Sequence, residues 1–176
     1  MIRFTMRVEG ANVLDPELIG LKVAYADLRP VWPEVSEWME QKMDQRFQSG
    51  GGSDGGAYWM PLTSHAYAVW KHRNYPSAQG KLLRRTFRLH ASLTDEGNSF
   101  SGDAVRDMSR PDRFTFGTTV PYALYHHAGM GRNPKREIMF FSDQSQKAVM
   151  KIIHRFIIEA LRGATAGFNT GVGRSK

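Results

Sequence analysis

The hydrophobic pattern changes its period along the chain, and each change marks an element. Ile2, Phe4, Met6 and Val8 alternate with polar residues, which predicts a strand over 2–8 with these four on one face. A helical period follows from Asp15-Pro16-Glu17. Asp suits a cap, Pro the first helical position and Glu the positive end of the helix dipole, and Leu18, Leu21, Tyr25 and Leu28 form the apolar stripe. Pro30 and Pro33 are expected to break or kink that helix. A second helix over about 34–47 carries Val35, Trp38, Met39, Met43 and Phe47 on one side.

Periodicity then stops. Five of the eight residues in "SGGGSDGG" are glycine, so a flexible loop is expected over 49–57, ordered by a binding partner if at all. A phosphate-cradling loop would need a preceding strand and a following Gly-Lys-Ser/Thr, and the sequence offers neither. A short helix is expected from Thr63 with Ala66, Tyr67 and Trp70 inward, and another over 81–94 with Leu82, Leu83, Phe87 and Leu93 inward and Arg84, Arg85 and Arg88 outward. Strands over 104–110 and 113–118 flank Pro111-Asp112. The last helix has Ser142 as its cap, Asp143 in its first turn, and a stripe of Ala148, Val149, Ile152, Ile153, Phe156, Ile157, Ala160 and Leu161. Lys147, Lys151 and Arg155 lie off that stripe. Residues 163–176 read as a flexible, weakly basic tail. The order predicts one α+β domain over 1–176, an antiparallel sheet packed with several amphipathic helices including a C-terminal one.

Composition adds constraints. With 176 residues there is enough chain for a real core, and with no cysteine that core holds by packing rather than disulfides or thiolate-bound metal. No apolar run approaches the roughly 20 residues that span a bilayer. The alternating N-terminus lacks the apolar stretch of a secretory signal, so assembly in the cytoplasm is expected and a membrane is not. The net charge of +7 is split: residues 1–60 carry 6 Lys/Arg against 9 Asp/Glu, and residues 61–176 carry 18 against 8. Such a split suits nucleic acid, or head-to-tail contacts between identical subunits.

The candidate chemistry is sparse. His126 and His127 are adjacent, so they point to opposite faces of a strand or about 100° apart on a helix, neither of which readily grips one metal. The remaining histidines lack metal-ligand spacing, and the carboxylates of the basic half sit mostly in turns or helix starts. No cofactor is expected. A small metallohydrolase using His126 or His127 and a nucleic-acid module using Arg84, Arg85, Arg88 and the tail are the alternative readings.

Four segments nevertheless occur in a familiar order. "WMPLTSHAYAVWK" resembles a Trp-x-Pro-Leu…Lys segment, "TFRLHASL" a Thr-Gly-x-Leu-x-x-Ser-Ile segment, "FGTTVPYALYHHAG" a Gly-Thr-x-x-x-Tyr-Ala-x-x-His-x-x-Gly segment, and "NPKREIMFFSD" a Pro-x-Arg-x-Phe-Leu…Asp segment that enters the final helix. Together they resemble the phage virion morphogenesis family, the tail-completion proteins of tailed phages, from about Trp59 to Leu161. Phe87 stands where the family usually has glycine. The resemblance implies a non-enzymatic virion protein, assembled in the bacterial cytoplasm, that acts in tail completion or head–tail (neck) joining. Its implied partners are itself in a ring, a hexamer by the resemblance, neighbouring connector, neck, tail-tube or terminator proteins, and packaged DNA through non-specific contacts. The residues that carry the resemblance are Trp59, Pro61, Leu62, Lys71, Gly117, Thr118, Tyr122, Ala123, His126, Gly129, Pro134 and Arg136. Trp59 and Tyr122 are expected to be buried, and His126 to be a corner histidine fixing its turn by hydrogen bonds. Arg136 is expected to anchor carbonyls or a carboxylate, and Arg84, Arg85 and Arg88 to face DNA or an adjacent subunit.

Overall fold

The computed structural model describes residues 1–7, 27–78, 81–94 and 101–169, with backbone alone at 101, 161 and 163–169. The helix expected from Asp15 and the residues beyond 169 lie outside these. Strand β1 (Ile2–Arg7), strand β2 (Ala104–Arg110) and strand β3 (Arg113–Thr118) form one antiparallel sheet in the order β1-β3-β2. The β2–β3 hairpin turns at Pro111-Asp112, and a register shift falls between Asp107 and Arg110. The α+β architecture is therefore as the pattern predicts.

Central β3 has Phe114, Phe116 and Thr118 on one face, opposite Met6, Phe4 and Ile2 of β1. Helix α1 (Trp32–Gln48) lies against this face. Trp32 stacks on Phe114 at 6.0 Å and donates its indole N–H to the Arg110 carbonyl at 2.9 Å. Pro33, expected to end or kink the preceding helix, lies inside α1. It occupies the first turn, where its missing N–H costs nothing, so α1 begins two residues earlier than expected. The buried face of α1 includes a cation, Arg46, beside Met39, Met43 and Phe47.

Helix α2 (His65–Asn74) is capped by Ser64, whose hydroxyl accepts from the Tyr67 amide at 3.2 Å. Its expected inner face is reversed: Tyr67 and Trp70 are exposed, and the buried residue of α2 is Lys71. Helix α3 (Arg88–Thr94) is about half the length expected. Leu83 and Phe87 both have φ of 58°, a left-handed backbone that interrupts any helix from 81. This also accounts for the family's glycine at Phe87, because glycine alone adopts that conformation without strain. Helix α4 (Pro121–Ala128) ends at Gly129, and helix α5 (Asp143–Asn169) is capped by Ser142, whose hydroxyl accepts from the Ser145 amide at 3.1 Å. Val149, Ile153 and Ile157 of α5 are buried as read, each stabilising by about 1.5–3 kcal/mol relative to exposure. The expected tail from 163 is helical as far as Asn169.

The glycine-rich segment, expected to await a partner, follows a path set by its own chain. The Gly51 amide donates to the Arg46 carbonyl at 2.9 Å, and the Trp59 amide to the Gly50 carbonyl at 2.6 Å. Gly51 has φ of +99°, and a Cβ there would lie 2.5 Å from the Trp59 ring, so no other residue fits. Asp54 accepts from the Ser145 hydroxyl at the start of α5.

Candidate functional site

The segment Gly117 to Gly129 builds the corner around which the site is arranged. Gly117 sits where β1 passes so closely that a Cβ would meet the Ile2 carbonyl oxygen at 2.3 Å. Thr118 ends β3 and belongs to a buried relay. The Val120 amide donates to the Thr118 hydroxyl at 3.2 Å, Thr118 lies 2.8 Å from the Ser92 hydroxyl, and Ser92 donates to the Leu89 carbonyl at 2.9 Å. With Ser92 already donating, Thr118 is the donor between the two hydroxyls, and every group in the chain is satisfied. Pro121 then starts α4, Ala123 is buried in the core, and Gly129 stops the helix at φ of +71°.

Arg136 closes the corner and is 5% exposed. Its Nε donates to the Met60 carbonyl at 3.0 Å and one Nη to the Pro61 carbonyl at 3.4 Å, while its backbone N–H donates to the His126 carbonyl at 2.7 Å. The expected carbonyl anchor is thus the link between the Trp59–Leu62 segment and α4. Trp59, buried as expected, donates its indole N–H to the Glu137 carbonyl at 3.1 Å.

Two expectations at this corner are corrected. Tyr122 is 37% exposed, because α4 turns it toward a cleft and gives Ala123 the inward position. The histidine whose ring fixes the turn is His127, whose Nδ1 accepts from the Ile138 amide at 3.2 Å. The Nδ1 of His126 is buried with no hydrogen-bond partner. Burial holds both histidines below their ordinary pKa, with Arg136 adding to the effect at His126.

The cleft has a volume of about 510 Å³. Of the residues carrying the family resemblance, Leu62, Lys71, Tyr122, His126, Pro134 and Arg136 line it. Arg85 and Arg132 add charge, and Tyr67 adds an aromatic wall. No carboxylate is among the described residues that line it. Lys71 donates to the Lys81 carbonyl, and burial first, then Arg136 and Arg85, push its pKa down. Trp59, Gly117, Thr118, Ala123 and Gly129 do not reach the cleft; they form its frame.

The three arginines expected on one solvated face separate. Arg84 is 5% exposed, reaches Asp44 at 3.1 Å and lies over the Phe47 ring. Arg88 pairs with Asp103 through two hydrogen bonds, which holds that carboxyl below its usual range. Arg85 alone of the three turns to the cleft, its guanidinium over the Tyr75 ring. Arg84 therefore cannot serve as a lumen or interface cation: the break at Leu83 turns it into the core. Sequence reading missed Arg46, although a cation three residues after Met43 on an apolar stripe was a visible signal. Among the described residues, no three His, Asp or Glu side chains come together as metal ligands.

The order of these segments is decided by one comparison: the model of the phage virion morphogenesis family matches residues 12–157. The chain belongs to this family. No curated protein and no solved structure matches it. The match spans the whole corner, the cleft, the sheet hairpin and α5 as far as its last buried isoleucine. Membership makes the protein a structural component of phage virion assembly. Among the described residues no helix is long and apolar enough to cross a membrane.

Proposed function

We propose that this subunit completes the phage tail, or joins it to the head at the neck, as a homo-oligomeric ring. The observation that carries this reading is the family match across the chain, with the family-like residues converging on one corner rather than on a catalytic constellation. The role is non-enzymatic: the corner supplies a rigid frame, carbonyl-anchoring cations and an open cleft. A ring requires a heterologous contact whose rotation closes, six-fold by the family resemblance. Its neighbours are the connector, neck, tail-tube or terminator proteins. Arg84 and Arg88 hold internal carboxylates, which leaves weak phosphate contacts through other exposed cations.

The direct test is to inactivate the gene in the phage and examine the products by electron microscopy. Filled heads and separate, full-length tails support the reading. Normal joined virions, or loss of heads, overturn it.

A further inference from the structure

The cationic cleft is open to a ligand, and its electrostatics are one-sided. Lys71, Arg85, Arg132 and Arg136 line a single 510 Å³ space with no lining carboxylate among the described residues. Like charges confined in this way repel, and the repulsion is screened less where the groups are recessed from water, as at Lys71 and Arg136. Lys71 and Arg136 are each 5% exposed. The His126 Nδ1 is buried and unpaired beside them, although buried polar atoms are as a rule satisfied. Tyr67 and Tyr122 form partly exposed aromatic walls, and Tyr67 stacks on exposed Trp70 at 5.6 Å. These features describe a receptor for an anion carried on a chain that also has apolar groups.

The shape excludes duplex DNA as the occupant, because a helix about 20 Å across cannot bring phosphates to recessed cations. A second copy of this chain is disfavoured by its own ion pairs. Asp27, Glu34, Glu40, Asp44 and Asp103 are matched with Arg29, Arg155, Arg106, Arg84 and Arg88 within the subunit. Asp27, Glu34, Glu40 and Asp44 are therefore not free carboxylates that a second copy could offer to the cleft.

We propose that the cleft docks an acidic, aromatic- or aliphatic-bearing peptide segment of a different protein. Its carboxylates enter between Arg85, Arg132 and the recessed Lys71–Arg136 pair, and its apolar side chains lie on Tyr67 and Tyr122. This rests on the virion-assembly reading for the place where the partner is met, but not for the chemistry of the cleft.

The test places a photo-crosslinking benzoylphenylalanine at Tyr67 in cells producing the virion, with the same group at exposed Met150 of α5 as the control. The crosslinked peptide is sequenced by mass spectrometry. The expected product is one segment of a different protein with net negative charge, its yield reduced at least tenfold by Arg85→Glu with Arg132→Glu and unchanged by Lys147→Glu with Lys151→Glu. Circular dichroism melts of each variant establish that it folds. Crosslinks to a second copy, to nucleic acid, to a neutral or basic segment, or none above the Met150 level overturn the proposal. So does a yield insensitive to the Arg85 and Arg132 reversals. Because crosslinking is read directly, it reports on the cleft whether or not loss of the gene leaves heads and tails unjoined.

Discussion

Arg46 and Glu137 are joined twice: the Arg46 Nε and one Nη both donate to the Glu137 carbonyl, at 2.9 and 2.7 Å. The other Nη donates to the Ser53 carbonyl at 3.2 Å. One buried guanidinium on α1 therefore holds both the glycine-rich segment and the segment that carries Arg136. Burial lowers the Arg46 pKa, yet carbonyl dipoles keep the cation paired. Arg46→Leu should lower stability by about 2–3 kcal/mol, because it strands the Ser53 carbonyl and weakens the Glu137 junction. Urea unfolding measures it, and a loss below about 1 kcal/mol would show the junction to be dispensable.

The hydroxyl relay through Thr118 predicts a result that volume alone would not. Thr118→Val keeps the shape but leaves the Val120 amide and the Ser92 hydroxyl short of a partner, so it should destabilise by about 1–3 kcal/mol. Thr118→Ser retains the hydroxyl and should cost less than Thr118→Val. Equal losses in the two variants would assign the effect to packing.

Phe87 carries a side chain on a left-handed backbone. Both Phe87→Ala and Phe87→Gly remove its ring from His90, 6.1 Å away, but only glycine relieves the backbone. Phe87→Gly should therefore be more stable than Phe87→Ala by about 1 kcal/mol, the reverse of the usual order. Thermal or urea unfolding of the pair decides it.

Stability should fall in mild acid. His90, His126 and His127 have folded pKa values below their ordinary value, chiefly through burial. Above about pH 6.5 both folded and unfolded states are neutral at these sites. As the pH drops below that value the unfolded chain takes up protons first, so stability is lost until the folded pKa values are passed. His127→Asn keeps an acceptor near the Ile138 amide and cannot titrate, so it should flatten this slope. An unchanged slope would remove His127 from the account. A second loss, below the usual carboxylate range, follows from the depressed Asp103 and Asp107.

The sequence showed its elements best where one signal dominated. The β2–β3 hairpin and the buried stripe of α5 rest on strict period, and both stand where expected. It misled where polar and apolar signals compete. Tyr67 and Trp70 look like a buried stripe, yet the stem of Lys71 takes the inward position. Leu82 to Phe87 have helical composition, but the chain turns sharply there so that Arg84 can reach Asp44. Glycine content predicts a mobile loop and says nothing of the hydrogen bonds that Arg46 and Trp59 make to this segment. Of the cleft, the family-like residues were legible singly. Their convergence, and the absence of a lining carboxylate among the described residues, are properties of the fold.

The glycine-rich segment should accordingly behave as part of the core. Amide exchange at Gly51 and Trp59 should be slow in the isolated subunit, and Gly51→Ala should destabilise by about 2 kcal/mol or more. Fast exchange at both amides would restore the picture of a segment ordered only by a neighbour.

The place of the subunit in the particle tests the account most directly. Electron cryo-microscopy of purified virions, reconstructed around the head–tail joint, should show a closed ring of this subunit at the head-proximal end of the tail. Each cleft should there be occupied by density from a different protein. The subunit in the capsid shell, at the distal tail tip, or as isolated copies outside any ring would contradict it.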